Sequence, residues 1–218
     1  MATIAKPAAD ARWTGAGNGS GPAGWNGGGP RKSQPDVGLT GMWFALAGIM
    51  MLFMGLTSAF IVRRGLDPGW QPIRMPVLAA LNAVLLIASS VTLEFGRRCL
   101  RANRRPAADK WFLTTWSLGI IFIAGQLIVW GQLAAAGLYL SSNAHSSFFY
   151  VLTALHGVHL AGGIAALSWL IWMPLPQLAA GPARPAVWRE RVSGIVALYW
   201  HFMDGLWVYL LVLLFAFK

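Results

Sequence analysis

Acidic side chains are scarce in this chain, with seven Asp and Glu among 218 residues against seventeen Lys and Arg. Charged residues of both signs make up only 11%, apolar residues make up 56%, and the mean hydropathy is +0.56. A composition so poor in charge leaves little room for a soluble catalytic domain and places the chain among integral membrane proteins. There is one cysteine, Cys99. It excludes an internal disulfide and any cysteine-based cluster. The first thirty-odd residues contain no apolar core, so no cleavable signal peptide is expected and the first span must direct insertion itself. A formal charge of +10 would suggest nucleic acid in a soluble protein. Here the basic residues lie between apolar runs, where membrane topology accounts for them, and no nucleic-acid partner is expected.

What is abundant is length of apolar sequence. Residues 1–36 form a run rich in Gly, Pro and Ala (GAGNGSGPAGWNGGGP within it) that cannot bury enough surface to offset its ordering entropy, and they read as a disordered cytoplasmic tail. Residues 37–218 then hold five apolar runs, Val37 to Val62, Pro76 to Cys99, Phe112 to Ala135, Ser147 to Trp172 and Val192 to Phe217. At a rise of about 1.5 Å per residue each is long enough to cross a hydrocarbon core about 30 Å thick. Open sheets cannot cross lipid, and nothing alternates as barrel strands do, so the expected fold is an all-α bundle of five transmembrane helices. Thirteen of the seventeen Lys and Arg fall on one side if the N-terminus lies inside, which predicts an N-in, C-out topology.

Polar residues inside these runs are the informative ones. Asn82, Ser89, Ser90 and Thr92 in the second run and Gln126 and Gln132 in the third read as helix-packing residues that form modest interhelical hydrogen bonds. Gly119, Gly125, Gly157, Gly162 and Gly163 permit close helix approach. Three of the four histidines, His156, His159 and His201, lie within spans, as do two acidic residues, Glu94 and Asp204. An ionisable side chain at bilayer depth costs about 2.5 to 3.5 kcal/mol on insertion scales, so it persists where a partner receives it. The pairs His156/His159 and His201/Asp204 are each three residues apart and so share a helix face. His156 and His201 both sit about nine residues into their runs, which sets them near the midplane, where they meet if the last two helices are neighbours.

Four readings of these groups stand open on the residues alone. One is a structural network at a helix or subunit interface. A second is proton handling, since imidazole titrates near neutrality and carboxylates relay. A third is a metal site built from His156, His159, His201 and Asp204. The fourth is haem ligation between spans four and five, although no covalent attachment motif is present. Glu94, nearer the inner end of span two, suits a partly solvated carboxylate facing Arg97 or Arg98 as well as a buried relay.

The stretches LTALHGVHLAGG (Leu152 to Gly163) and YWHFMDGLWVYLL (Tyr199 to Leu211) resemble subunit III of the haem-copper cytochrome c oxidases. MLFMGLTSAFIVRRG (Met51 to Gly65), LNAVLLIASSVTLE (Leu81 to Glu94) and GQLIVWGQL (Gly125 to Leu133) extend the resemblance over nearly all of the chain after the tail. It implies a noncatalytic subunit of the bacterial plasma membrane, in the short five-span form, with no redox cofactor of its own. The haems and copper would lie in partner subunits, subunit I being the main contact, with subunit II, other small subunits and a larger respiratory assembly around it. The resemblance further implies structural phospholipids and support of proton uptake. It carries over Glu94, His156, His159, His201 and Asp204 as a structural or proton-related network, and Trp200 and Gln126 as lipid or interface contacts. Ile49 and Val129 stand where many relatives carry glutamate, so functions of those carboxylates do not transfer, and Met203 stands where valine is common. The alternatives are the subunit III-like accessory protein of nitric oxide reductase, a membrane b-type cytochrome and a small transporter. Against the transporter, no internal repeat and no broken pair of spans is visible.

Overall fold

The computed structural model describes residues 37–66, 77–139, 144–172 and 184–216. The tail expected over 1–36 lies outside the described residues. Five helices follow one another: α1 (Val37–Leu66), α2 (Val77–Arg101), α3 (Arg105–Ala135), α4 (Ala144–Trp172) and α5 (Arg184–Ala216). All five are long and apolar enough to cross a membrane. Two extend well beyond the apolar runs that announce them, and α1 and α4 run on by about one turn, α1 to Leu66. α3 begins at Arg105, α5 at Arg184, and α4 already includes His145. In α3 and α5 backbone hydrogen bonding continues past the apolar boundary because the charges there are accommodated, Arg189 by pairing with Asp109 and Glu190 by remaining half exposed beside Arg101.

The described connections end helices by one device. After α2, Asn103 N–H bonds Leu100 C=O at 3.0 Å and Arg104 N–H bonds Cys99 C=O at 2.9 Å, with Asn103 at φ 57°. After α3, Gly137 N–H bonds Ala134 C=O and Leu138 N–H bonds Leu133 C=O, both at 3.0 Å, with Gly137 at φ 79°. Each is a Schellman turn whose left-handed residue is one that tolerates it, glycine or asparagine. The three-residue link between α2 and α3, with Pro106 in the first turn of α3, makes them an antiparallel hairpin.

The burial pattern shows how the helices sort. Buried residues on α3 fall at Ala108, Phe112, Thr115, Gly119, Phe122, Gln126, Val129 and Leu133, alternating by four and three. α2 follows the same rule through Ala79, Asn82, Leu86, Ser89, Leu93, Gly96 and Leu100. A mean spacing of 3.5 residues is the seam of left-handed helix pairs. α5 is buried on two such stripes, and α1 on one sparse stripe of Leu46, Phe53, Thr57 and Phe60. Accordingly α2, α3, α4 and α5 close into a ring in which each touches the next and α5 returns to α2, while α1 packs only on α4 and α5. Lipid supplies no hydrophobic drive between such helices, so packing and interhelical hydrogen bonds hold them. Between α3 and α4 the bonds include Trp116 Nε1–H to Ser168 Oγ at 2.8 Å and Trp130 Nε1–H to Thr153 Oγ1 at 3.1 Å.

Candidate functional site: the polar seam between α2 and α5

Ser89 and Ser90 are consecutive on α2 and therefore point about 100° apart. Ser89 is fully buried; its hydroxyl donates to Leu86 C=O at 2.7 Å and accepts from Trp200 Nε1–H at 2.9 Å. Ser90, at the edge of the ring, donates to Asp204 Oδ2 and also contacts His201 Nδ1 at 2.7 Å. A hydroxyl has one proton. With that proton given to Asp204, its lone pair accepts from His201 Nδ1–H, which leaves Nε2 as the acceptor nitrogen of a neutral imidazole. Asp204 is buried and its Oδ1 has no hydrogen-bond partner among the described residues. His201 is exposed on the outer surface of the bundle.

Towards the C-terminal end of α2 the same seam passes from hydrogen bonds to ion pairs. Glu94 binds Arg97 at 2.8 Å and lies 3.8 Å from Arg98, so it faces two of the three arginines of its own helix. Arg97 rests against Gly194 of α5, where a Cβ would stand 3.7 Å from Nη2. A turn further on, Arg101 pairs with Glu190 at 3.5 Å, both half exposed, and the buried Arg189 pairs with Asp109 of α3.

The histidines of α4 go elsewhere. His156 is fully buried, edge-on to Phe122 at 6.1 Å and tilted against Trp207 at 5.1 Å, and neither ring nitrogen has a hydrogen-bond partner among the described residues. His159 Nδ1 bonds Leu155 C=O at 2.7 Å and its ring meets Phe53 of α1 at 5.8 Å. Its own carbonyl accepts from Tyr199 O–H at 2.7 Å. α4 and α5 are neighbours as expected, but the expected meeting of His156 with His201 does not occur. On α5 the turn places Trp207 against α4 and His201 against α2. The seven residues singled out in the sequence are thus dispersed. His201 and Asp204 meet on Ser90 and Glu94 lies along the same seam, whereas His156 and His159 serve the α4 interfaces with α3, α5 and α1.

Trp200, expected at lipid or another interface, is fully buried within the bundle. Its indole fills the gap left by Gly119 and Gly163, whose Cβ atoms would stand 3.0 and 3.4 Å from it. Gln126 is buried in the wall of a groove between α3 and α4 of about 300 Å³, with both amide atoms unpartnered among the described residues. Among the described residues no three His, Cys, Asp or Glu side chains converge as a metal-binding group. Sequence reasoning treated Ser90 as ordinary packing, although it is the residue on which His201 and Asp204 meet. Its spacing of four from Glu94 was the available signal. Asp109, just ahead of the third apolar run, gave none until the fold set Arg189 beside it.

The family model described as cytochrome c oxidase subunit III matches residues 40–218. Among curated proteins, the cytochrome c oxidase subunit 3 of Synechocystis is 32% identical, the match covering 84% of this chain and 76% of that protein. The protein of the same name from Thermostichus vulcanus is 28% identical over 84% of this chain and 88% of its own. A probable cytochrome c oxidase subunit 3 from Nocardia farcinica is 29% identical, covering 81% and 86%.

Proposed function

Because this chain belongs to the cytochrome c oxidase subunit III family, we propose that it serves as the noncatalytic third subunit of a respiratory haem-copper oxidase in the bacterial plasma membrane. It holds the core subunit that carries the haems and copper and supports proton uptake during oxygen reduction, with its N-terminus inside and its C-terminus outside. The observation that carries this reading is the α2–α5 seam. Ser90 of α2 draws Asp204 and His201 of α5 into one interhelical contact, so these two intramembrane ionisable groups are engaged in holding helices together, while Glu94 is paired with Arg97 of its own helix. Such a use suits a scaffold. Dispersal of the remaining histidines supports placing the redox groups in partner subunits.

Mild native purification through a tag on this chain, with mass spectrometry of what co-elutes, tests the reading. Recovery of a haem-copper core with its copper-binding partner is expected. A nitric oxide reductase core in its place, or a chain that elutes alone and retains a haem band in its reduced-minus-oxidised spectrum, would overturn it.

A further inference from the structure

α1 and α2 both pack on α5 and do not touch each other, so a strip of α5 shows between them. Along it the half-buried Leu198 is followed by exposed His201, Gly205, Val208 and Val212, at intervals of three and four. On the α2 side the strip is bounded by Ser90, hydrogen-bonded to His201. On the α1 side a cleft of about 300 Å³ opens between Met50 and Met54 of α1 and Gly205 and Tyr209 of α5. A Cβ on Gly205 would meet nothing within 4 Å. His201 is the eighteenth of the 33 residues of α5, which puts it near the middle of its span.

We propose that this strip is the seat of a membrane-spanning helix from a partner subunit, and that this helix presents a hydrogen-bond donor to His201 Nε2. The reasons are chemical and geometric. Nε2 is the acceptor left over when Nδ1–H is engaged by Ser90, and it has no hydrogen bond among the described residues. Hydrocarbon tails offer no donor at that depth, so lipid would leave the imidazole unsatisfied. A mean interval of 3.5 residues with a glycine at its centre is the seam that a second helix fits. The cleft between two methionines accepts a large apolar side chain, because thioether chains repack around what enters. A second copy of this chain fits poorly, since twofold pairing about His201 would set acceptor against acceptor. That the helix comes from a core oxidase subunit rests on the reading above.

Photo-crosslinking in intact membranes tests the proposal. With Cys99→Ser as background, a benzophenone is attached at Leu198→Cys, at Val208→Cys, and at Val158→Cys on the exposed surface of α4. The first two positions are expected to capture a different membrane polypeptide and the third is not. Gly205→Leu, whose Cβ meets nothing within 4 Å in the chain itself, is expected to lower retention of that polypeptide through detergent washing about fivefold, the loss of roughly 1 kcal/mol, while the isolated chain melts no lower. His201→Leu is expected to lower retention similarly, with His201→Gln recovering part of it. Capture of a core oxidase subunit upholds the strip and the oxidase reading together. Capture of an unrelated membrane protein, with no core oxidase subunit co-purifying, upholds the strip and overturns the oxidase reading. Lipid adducts alone, capture of a second copy of this chain, or full retention in Gly205→Leu would overturn the strip, and core subunits still co-purifying would leave the oxidase reading standing.

Discussion

Trp200 of α5 donates its indole N–H to Ser89 of α2 at 2.9 Å while its ring system lies over Gly119 of α3 and Gly163 of α4. One side chain thereby touches the other three helices of the ring. Trp200→Ala should cost about 3 to 5 kcal/mol of unfolding free energy, the range for emptying a buried aromatic site. Trp200→Phe keeps part of the ring and loses the hydrogen bond, and should cost on the order of 1 to 3 kcal/mol. Reversible unfolding in mixed micelles orders the two variants, and equal losses would show that the site collapses around either.

Gly125 faces the amide of Asn82 across the α2–α3 hairpin, and any Cβ there would overlap Oδ1. Gly125→Val should destabilise by about 1 to 3 kcal/mol through overpacking. Asn82→Ala, which removes the obstructing amide, should relieve much of that loss when combined with it. A double-mutant cycle with no coupling would mean that the hairpin opens elsewhere to make room.

Ser90 is the only hydrogen-bond donor found for the Asp204 carboxylate among the described residues. Ser90→Ala leaves that buried carboxyl unpartnered and should cost about 1 to 3 kcal/mol. Combined with Asp204→Leu, the Ser90→Ala change should be nearly neutral. Additive losses in the cycle would separate the two residues energetically.

The two interhelical ion pairs, Arg189–Asp109 and Arg101–Glu190, should differ in size. Arg189 is 8% exposed, and Asp109→Ala leaves its guanidinium buried without its carboxylate, at a cost of about 2 to 4 kcal/mol. Arg101 and Glu190 are 50% and 52% exposed, so Glu190→Ala should cost about 0 to 1 kcal/mol. Only the second loss should shrink as salt is raised, which thermal melts at two ionic strengths would read.

Asn103 holds φ 57° in the turn between α2 and α3. Asn103→Gly should be neutral within a few tenths of a kcal/mol, whereas Asn103→Val should cost about 1 to 2 kcal/mol because its branched Cβ crowds the backbone and it lacks the short polar side chain by which asparagine tolerates this region. The melting temperatures of the two variants check this directly.

Much of the fold was legible because it follows from composition over long windows. A run of twenty-odd apolar residues has one way to satisfy its backbone in lipid, and the five helices stand where the five runs are. Their ends were less legible. Arg105 to Trp111 and Arg184 to Arg191 carry charges that ended the apolar runs early, yet their backbones stay helical, and Asp109, Arg189 and Glu190 among them pair between helices. The identity of the unusual residues was also legible, since any histidine, Asp or Glu in a span draws attention to itself.

Their partners were not. Spacing puts His201 and Asp204 on one face of α5, but it does not say which neighbour that face meets. That was decided by the closing of the ring, which sets α5 against α2 as well as α4 and turns His201 to Ser90 and Trp207 to His156. The sequence by itself determined that this is a five-span membrane protein of the subunit III family, because hydropathy and motif spacing are properties along one chain. Only the tertiary structure decided which polar groups meet and which face of α5 is left uncovered, because those depend on how a helix is rotated against neighbours far away in sequence.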